Sequence, residues 1–271
     1  MSNQQAIAVL DSGVGGLTVA KEIMRQLPQE QIIYFGDTAR APYGPRPAHE
    51  VERFTEEIVR YLQHFDPKMI VIACNTATAV ALDTIRSAVD VPVLGVITPG
   101  ARAALKVTRS GEIGVIGTEG TIRSGAYEAA LRRIAPGVRV VSQACPAFAP
   151  MVESGEYRTG GARDTVCNSL KGIKDESIDT LILGCTHYPF LTDLIQECMG
   201  PGVTLISSAD QTARDVSTLL YHNGLLASSE KTPVHHFFCS GDEEMFKAIA
   251  EEWLGDMIRT SPVIWQMPSF L

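Results

Sequence analysis

The stretch K-M-I-V-I-A-C-N-T-A-T, Lys68 to Thr78, decides the fold. Met69 to Ala73 is a short, unbroken apolar run whose centre, Ile70-Val71-Ile72, is β-branched. That length and composition fit a strand buried on both faces of a parallel sheet. The run stops at Cys74. Asn75 and Thr76 are cap-type residues, and the pattern onward to Val89 reads as a helix. Cys74 is therefore predicted where a strand ends and a helix begins, the edge at which open α/β sheets bind ligands. The positive end of a helix macrodipole there favours thiolate, against a free-thiol pKa of about 8.5.

The arrangement occurs twice. Thr180 to Thr186, T-L-I-L-G-C-T, is another apolar strand ending in a cysteine, Cys185. His187-Tyr188-Pro189 follows, then a helical pattern from Leu191 to Met199. The two cysteines are 185 − 74 = 111 positions apart. Ile7 to Leu10 with Asp11-Ser12-Gly13 resembles Ile113 to Ile116 with Gly117-Thr118, at an offset of 113 − 7 = 106. Val91 to Leu94 resembles Val203 to Ile206, at 203 − 91 = 112. Such self-similarity indicates two copies of one unit with slightly different loops. The expected fold is α/β, with two pseudo-symmetric domains, each a mainly parallel sheet flanked by helices, and a site in the cleft between them. Residues 1–98 plus 208–271 are expected to form the first domain and residues 99–207 the second.

Composition narrows the function. The chain has 271 residues, 45% hydrophobic and 20% charged, a globular balance with room for two domains. A net charge of −8 argues against nucleic acid or an anionic membrane as partner. No apolar run approaches a membrane-spanning length, and M-S-N-Q-Q lacks signal-peptide character, so a cytoplasmic protein is expected. None of the six cysteines forms C-x-x-C or a zinc spacing. The expectation is reduced thiols, with neither disulfide nor metal.

Asp11 to Thr18, D-S-G-V-G-G-L-T, joins the first strand to a helix. It lacks the G-x-G-x-x-G spacing and any G-K-[ST], so it reads as a tight turn with Asp11 and Ser12 projecting from a strand end. Ile32 to Phe35 is a strand, and Gly36 to Pro47, with its prolines and glycines, is a constrained loop. His49 to Gln63 is an amphipathic helix. Ile97 to Gly100 reads as a crossing point, and Arg102 to Thr108 as a helix. G-T-E-G-T-I, Gly117 to Ile122, opens a helix at which Thr118 and Thr121 serve either as ordinary caps or as a seat for a carboxylate. Glu153 ends a short helical turn and reads as a solvated residue. Asp210 to Tyr221 is a helix, His235 to Cys239 a late strand, Met245 to Trp253 a helix, and the tail carries no signal.

Two duplicated strand-end thiols suit one task. Inverting a stereogenic carbon requires a base on one face and an acid on the other. Thiol and thiolate are both accessible near neutral pH, so either cysteine can take either role. The pattern points to cofactor-independent racemisation or epimerisation. Helix amides at Asn75-Thr76 and Thr186-His187 would hold a carboxylate and the charge developing beside it. Asp11 and His187 would serve as proton partners, one per half.

At these residues the chain resembles bacterial glutamate racemases. The resemblance rests on A-C-N-T-A-T at Cys74, G-C-T-H-Y-P at Cys185, D-S-G-V-G-G-L-T at Asp11, G-D-T-A-R-A-P-Y-G at Gly36 and G-T-E-G-T-I at Gly117. It runs from about Ile7 to Tyr221. It implies pyridoxal-independent interconversion of L- and D-glutamate for peptidoglycan, without cofactor or metal. Cys74 would act on D-glutamate and Cys185 on L-glutamate. The substrate would lie among Asp11, Ser12, Tyr43, Gly44, Asn75, Thr76, Thr118, Thr121, Thr186 and His187, with Glu153 assisting proton transfer. A homodimer is the expected assembly. An aspartate or hydantoin racemase of the same superfamily, or a non-catalytic amino-acid-binding protein, are the alternative readings.

Overall fold

The computed structural model describes residues 2–228, 232–260 and 263–266. The chain divides into two compact units, one of Met1–Val96 with Ala209–Leu271, the other of Ile97–Ser208.

The first unit holds strands β1 (Ile7–Asp11), β2 (Ile32–Gly36), β3 (Met69–Ile72) and β4 (Val93–Gly95). The second holds β5 (Glu112–Gly117), β6 (Arg139–Ala144), β7 (Thr180–Gly184) and β8 (Thr204–Ser207). The chain then returns to the first unit with β9 (His235–Cys239) and β10 (Val263–Gln266). The first sheet runs β10-β9-β2-β1-β3-β4 and the second β6-β5-β7-β8. Every neighbouring pair is parallel. Within each unit the first four strands lie in the order second, first, third, fourth. The duplication read from the sequence is thus repeated in topology.

Burial explains why these stretches are strands. β1, β2, β3 and β7 are buried at every residue, as parallel strands covered on both faces require. On one face of the first sheet, Leu10, Phe35 and Ile72 join Val51, Phe54, Ile58 and Leu62 of the helix Ala48–Gln63. Ala77, Ala81 and Ile85 of the helix Asn75–Ala88 complete that core. Each large aliphatic side chain so buried stabilises by about 1.5–3 kcal/mol.

At the opposite edge from the strand ends of interest, Lys68 and Glu30 form a buried ion pair at 2.5 Å. Lys68 Nζ also donates to the carbonyls of Asn3 and Leu225, both at 2.8 Å, and Glu30 Oε1 accepts from Ala227 N at 2.8 Å. The pair therefore ties the returning segment near 225–227 to the start of β3.

Three expectations are corrected. The helix Ile97–Val107 begins at Ile97, where a crossing point and a later start at Arg102 were expected. Pro99 lies in its first turn, where a missing N–H leaves no intrahelical bond unmade. The tail, read as carrying no signal, contributes β10 beside β9. Val263, Ile264 and Trp265 are β-branched or aromatic and follow Ser261-Pro262 in the sequence, a short strand signal that pairing with β9 makes definite. The cysteines are not all reduced: Cys167 and Cys198 form a disulfide, with Cα atoms 5.3 Å apart. Their helices, Ala162–Ser169 and Thr192–Met199, pack together. Spacing in the sequence does not reveal which helix faces meet.

Two measurements check this account. Lys68→Met leaves Glu30 buried without its cation, and chemical denaturation should show a loss of about 3–5 kcal/mol. His235 Nδ1 accepts from Ile32 N at 3.1 Å, and burial, with His236 nearby, lowers its pKa from 6.5 to about 4. The fold therefore favours the neutral ring. The unfolded chain binds more protons between pH 4 and 6.5, so this contribution is present above that window and lost as pH falls through it. The wild type should lose about 2 kcal/mol more than His235→Asn between pH 7.5 and 5 in urea titrations.

Candidate active site

In each sheet the second strand lies on one side of the first and the third on the other. The carboxyl ends of the first and third strands therefore meet at a switch point, where the flanking loops separate and leave room for a ligand. In the first unit that point carries Asp11-Ser12 and Cys74. In the second it carries Thr118 and Cys185.

Cys74 is buried and caps the helix Asn75–Ala88, its sulfur accepting from Ala77 N at 3.4 Å. Its Sγ lies 3.6 Å from Ser12 Oγ. Gly13, the residue after Ser12, is held at both its N–H and its carbonyl. Asp11, wholly buried, accepts from Gly13 N at 2.9 Å, and Tyr34 Oη donates to the Gly13 carbonyl at 2.8 Å. Close approach requires glycine at two positions. A Cβ on Gly36 would stand 2.5 Å from Gly13 O, and one on Gly16 would stand 2.5 Å from Asp11 Cβ. Asn75 and Thr76, in the first turn of the capped helix, are buried beside Cys74.

Tyr43 and Gly44 lie in the loop after β2 and are buried. The Tyr43 phenol donates to Asp37, which also accepts from Arg40 Nε at 2.7 Å and Ser240 Oγ at 2.7 Å. Burial, then Asp37, pushes the Tyr43 pKa far above its ordinary value.

In the second unit, Cys185 follows β7 directly, with its sulfur 3.6 Å from His187 Nδ1. The other ring nitrogen, Nε2, lies 2.9 Å from Glu153 Oε1. Burial pulls the His187 pKa down, but hydrogen bonds to Cys185 and Glu153, and their charges, outweigh it and hold the ring at about 10. Glu153, read from the sequence as a solvated residue, ends the helix Phe148–Glu153 with its carboxylate against this imidazole. Thr186 is buried in the same turn.

One expectation about helix ends changes here, and one of two alternatives is met. The segment after Cys185 is a 3-10 turn, Tyr188–Leu191, and the α-helix starts only at Thr192. Pro189 stands in that turn, so Thr186-His187 is not an α-helix N-terminus comparable to Asn75-Thr76. Thr118 caps the five-residue helix Glu119–Arg123, its Oγ1 accepting from Thr121 N at 3.2 Å and lying 3.1 Å from Thr121 Oγ1. The pair makes the ordinary capping bond.

The structure thus gathers Asp11, Ser12, Asn75 and Thr76 around Cys74, and Glu153, Thr186 and His187 around Cys185. Tyr34, Asp37 and Ser240 were not singled out from the sequence. Tyr34 and Asp37 flank Gly36 at a strand end, which is the only local signal they carry. Ser240 is brought by β9, more than two hundred positions away. Among the described residues, no three His, Cys, Asp or Glu side chains gather as a metal site would require. No helix is long and apolar enough to cross a membrane, among the described residues.

Residues 8–216 match the model of the Asp/Glu/Hydantoin racemase family. The chain belongs to that family and is a racemase, an enzyme of the isomerase class. It is 54% identical to the glutamate racemase of Enterococcus faecalis, over 94% of each chain. It is similar in structure to glutamate racemase isoform RacE1 from Bacillus anthracis, with a TM-score of 0.94 at 48% identity, covering 99% of this chain and 98% of the other. Glutamate racemase from Francisella tularensis, solved with D-glutamate, gives a TM-score of 0.90 at 34% identity over 98% of both chains.

A titration checks the second cluster. Glu153→Gln removes the anion beside His187 Nε2, so the imidazolium loses stabilisation. Nitrogen-detected NMR of the histidine rings should show His187 giving up its proton at lower pH in the variant than in the wild type. An unchanged titration would mean that Glu153 does not act on the ring.

Proposed function

We propose that this chain interconverts L- and D-glutamate without a cofactor, using Cys74 and Cys185 as the acid–base pair. The observation that carries the reading is the duplication of a strand-end thiol, each with its own polar partner. One sulfur has Ser12 and the amides of a helix N-terminus, and the other has His187 and Glu153. Relatives named as glutamate racemases, and a relative solved with D-glutamate, support glutamate as substrate.

From D-glutamate, Cys74 as thiolate takes the α-hydrogen, and Cys185 as thiol returns a proton to the other face. From L-glutamate the roles exchange. The intermediate carries negative charge shared between the α-carbon and its carboxylate. Amides at the start of the helix Asn75–Ala88 are suited to it, since donors fixed in place reorganise little as charge develops. Asp11 is the proton partner on the Cys74 side. His187, protonated at neutral pH and steadied by Glu153, is an acid within reach of Cys185. Ser12, Tyr43, Gly44, Asn75, Thr76, Thr118, Thr121 and Thr186 complete the proposed substrate contacts. In this reading the enzyme acts in the cytoplasm as a homodimer and supplies D-glutamate for peptidoglycan.

Purified protein should racemise glutamate with no added pyridoxal phosphate, metal or nucleotide, measured by polarimetry. Preference for aspartate or a hydantoin would move the substrate assignment, and binding without change of rotation would indicate a binding protein. Cys74→Ala and Cys185→Ala should each abolish both directions, while Cys145→Ala retains most activity. In deuterated water, early product should carry α-deuterium almost completely, while remaining substrate carries little. Product that keeps the substrate's own α-hydrogen would point to a single base and end the two-thiol reading.

A further inference from the structure

Tyr34 is a phenol buried against the Asp11–Gly13 turn, and none of the roles in the proposed reaction uses it. Its side chain is wholly buried. Its ring packs against Phe237 at a centroid distance of 5.5 Å and against Phe246 at 6.0 Å. Phe237 belongs to β9 and Phe246 to the helix Glu243–Leu254. Both lie beyond residue 216, where the family match ends. The segment following that match therefore provides the seat for the ring.

The hydroxyl donates to the Gly13 carbonyl at 2.8 Å and also accepts from the backbone N–H groups of Gly16 and Leu17. The Gly13 N–H is held by Asp11 Oδ1 at 2.9 Å. Gly13 is thus pinned at both its donor and its acceptor. Ser12 immediately precedes this pinned residue, and its Oγ is 3.6 Å from Cys74 Sγ. Gly36 lacks a side chain where a Cβ would stand 2.5 Å from the same carbonyl, which leaves that carbonyl accessible to Tyr34. Loss of the Tyr34 bond would loosen the turn that carries Ser12 beside the sulfur.

We propose that Tyr34 is a positioning residue of the reaction: seated by Phe237 and Phe246, its hydroxyl fixes the Gly13 carbonyl and so holds Ser12 beside Cys74. The inference rests on the reading that Cys74 acts at the α-carbon of glutamate. It adds a task for the C-terminal segment, which is to fix the geometry of one of the two thiols.

The test exploits a symmetry. Enantiomers have equal free energy in water, so kcat/KM is the same in both directions for any variant. A defect on the Cys74 side must therefore appear in the primary isotope effects. Tyr34→Phe removes one oxygen and keeps the ring packing. Its kcat should fall about ten- to a hundredfold in both directions, the size expected for a small misplacement of reacting groups. The isotope effect with α-deuterated D-glutamate should rise relative to the wild type, and that with α-deuterated L-glutamate should fall. The control Tyr221→Phe, at a phenol 70% exposed, should match the wild type in every measurement. Should Tyr34→Phe not fold, 3-fluorotyrosine at position 34 keeps ring and hydroxyl while altering the donor, and the same opposite shifts are expected. Unchanged kinetics in the folded variant, or isotope effects that move together in both directions, would overturn the proposal. A wild type that does not racemise glutamate, or a Cys74→Ala enzyme that does, would bring down the two-thiol reading and this inference with it. Normal wild-type behaviour beside an unaltered Tyr34 variant would bring down this inference alone.

Discussion

Parallel strands can be joined only by crossovers, and the crossovers in each unit first step to one side of the opening strand and then pass back to the other. The carboxyl ends of the first and third strands are left as neighbours, with their following loops turned toward opposite faces. Asp11 and Cys74 become adjacent for that reason, as do Thr118 and Cys185, although more than sixty positions separate the members of each pair in the chain. The other features of the candidate site refine this placement. If β3 were inserted on the other side of β2, the same residues would be present with no common edge.

The two units use the shared placement differently. Cys74 sits directly on an α-helix, and a backbone amide reaches its sulfur. The field of a helix end is worth about 0.3–1 kcal/mol when exposed and about 2 when partly buried. Cys185 has no such helix, because Pro189 and a 3-10 turn intervene. Its polar partner is an imidazole whose pKa is lowered by burial but raised further by hydrogen bonds to Cys185 itself and to a carboxylate on its far side. A helix end gives a fixed partial charge that does not titrate. An imidazole gives a full charge and a mobile proton. Two thiols of matched position thus have partners of different chemistry, and duplication of the backbone did not duplicate the electrostatics.

The C-terminal segment contributes more than its weak sequence signal suggests. Its strand β9 extends the first sheet beside β2, and Ser240 at its end donates to Asp37, the acceptor for the Tyr43 phenol. Phe237 and Phe246 support Tyr34. The buried Lys68–Glu30 pair secures the start of the same segment. Desolvating two charges is costly, so such a pair specifies where the chain goes more than it stabilises.

The sequence by itself determined the elements and their repetition. Apolar runs rich in β-branched residues marked β1, β2, β3, β5 and β7, because burial on both faces leaves no polar alternation. Cap residues and glycines marked where those runs ended, and so located Asp11, Cys74 and Cys185 at strand ends. All of these signals are exchanged between near neighbours in the chain. Tertiary structure alone decided the rest. Glu153 is solvent-exposed, as its sequence suggests, yet the fold alone sets its carboxylate 2.9 Å from His187. Cys167 and Cys198 looked like ordinary thiols until two helix faces met. Val263 to Gln266 had only a short β-branched and aromatic run to mark it until β9 offered a row of hydrogen-bonding partners. In each case the deciding interaction joins residues that the chain keeps apart, and its strength depends on distance and solvent exclusion, quantities that no local pattern of residues encodes.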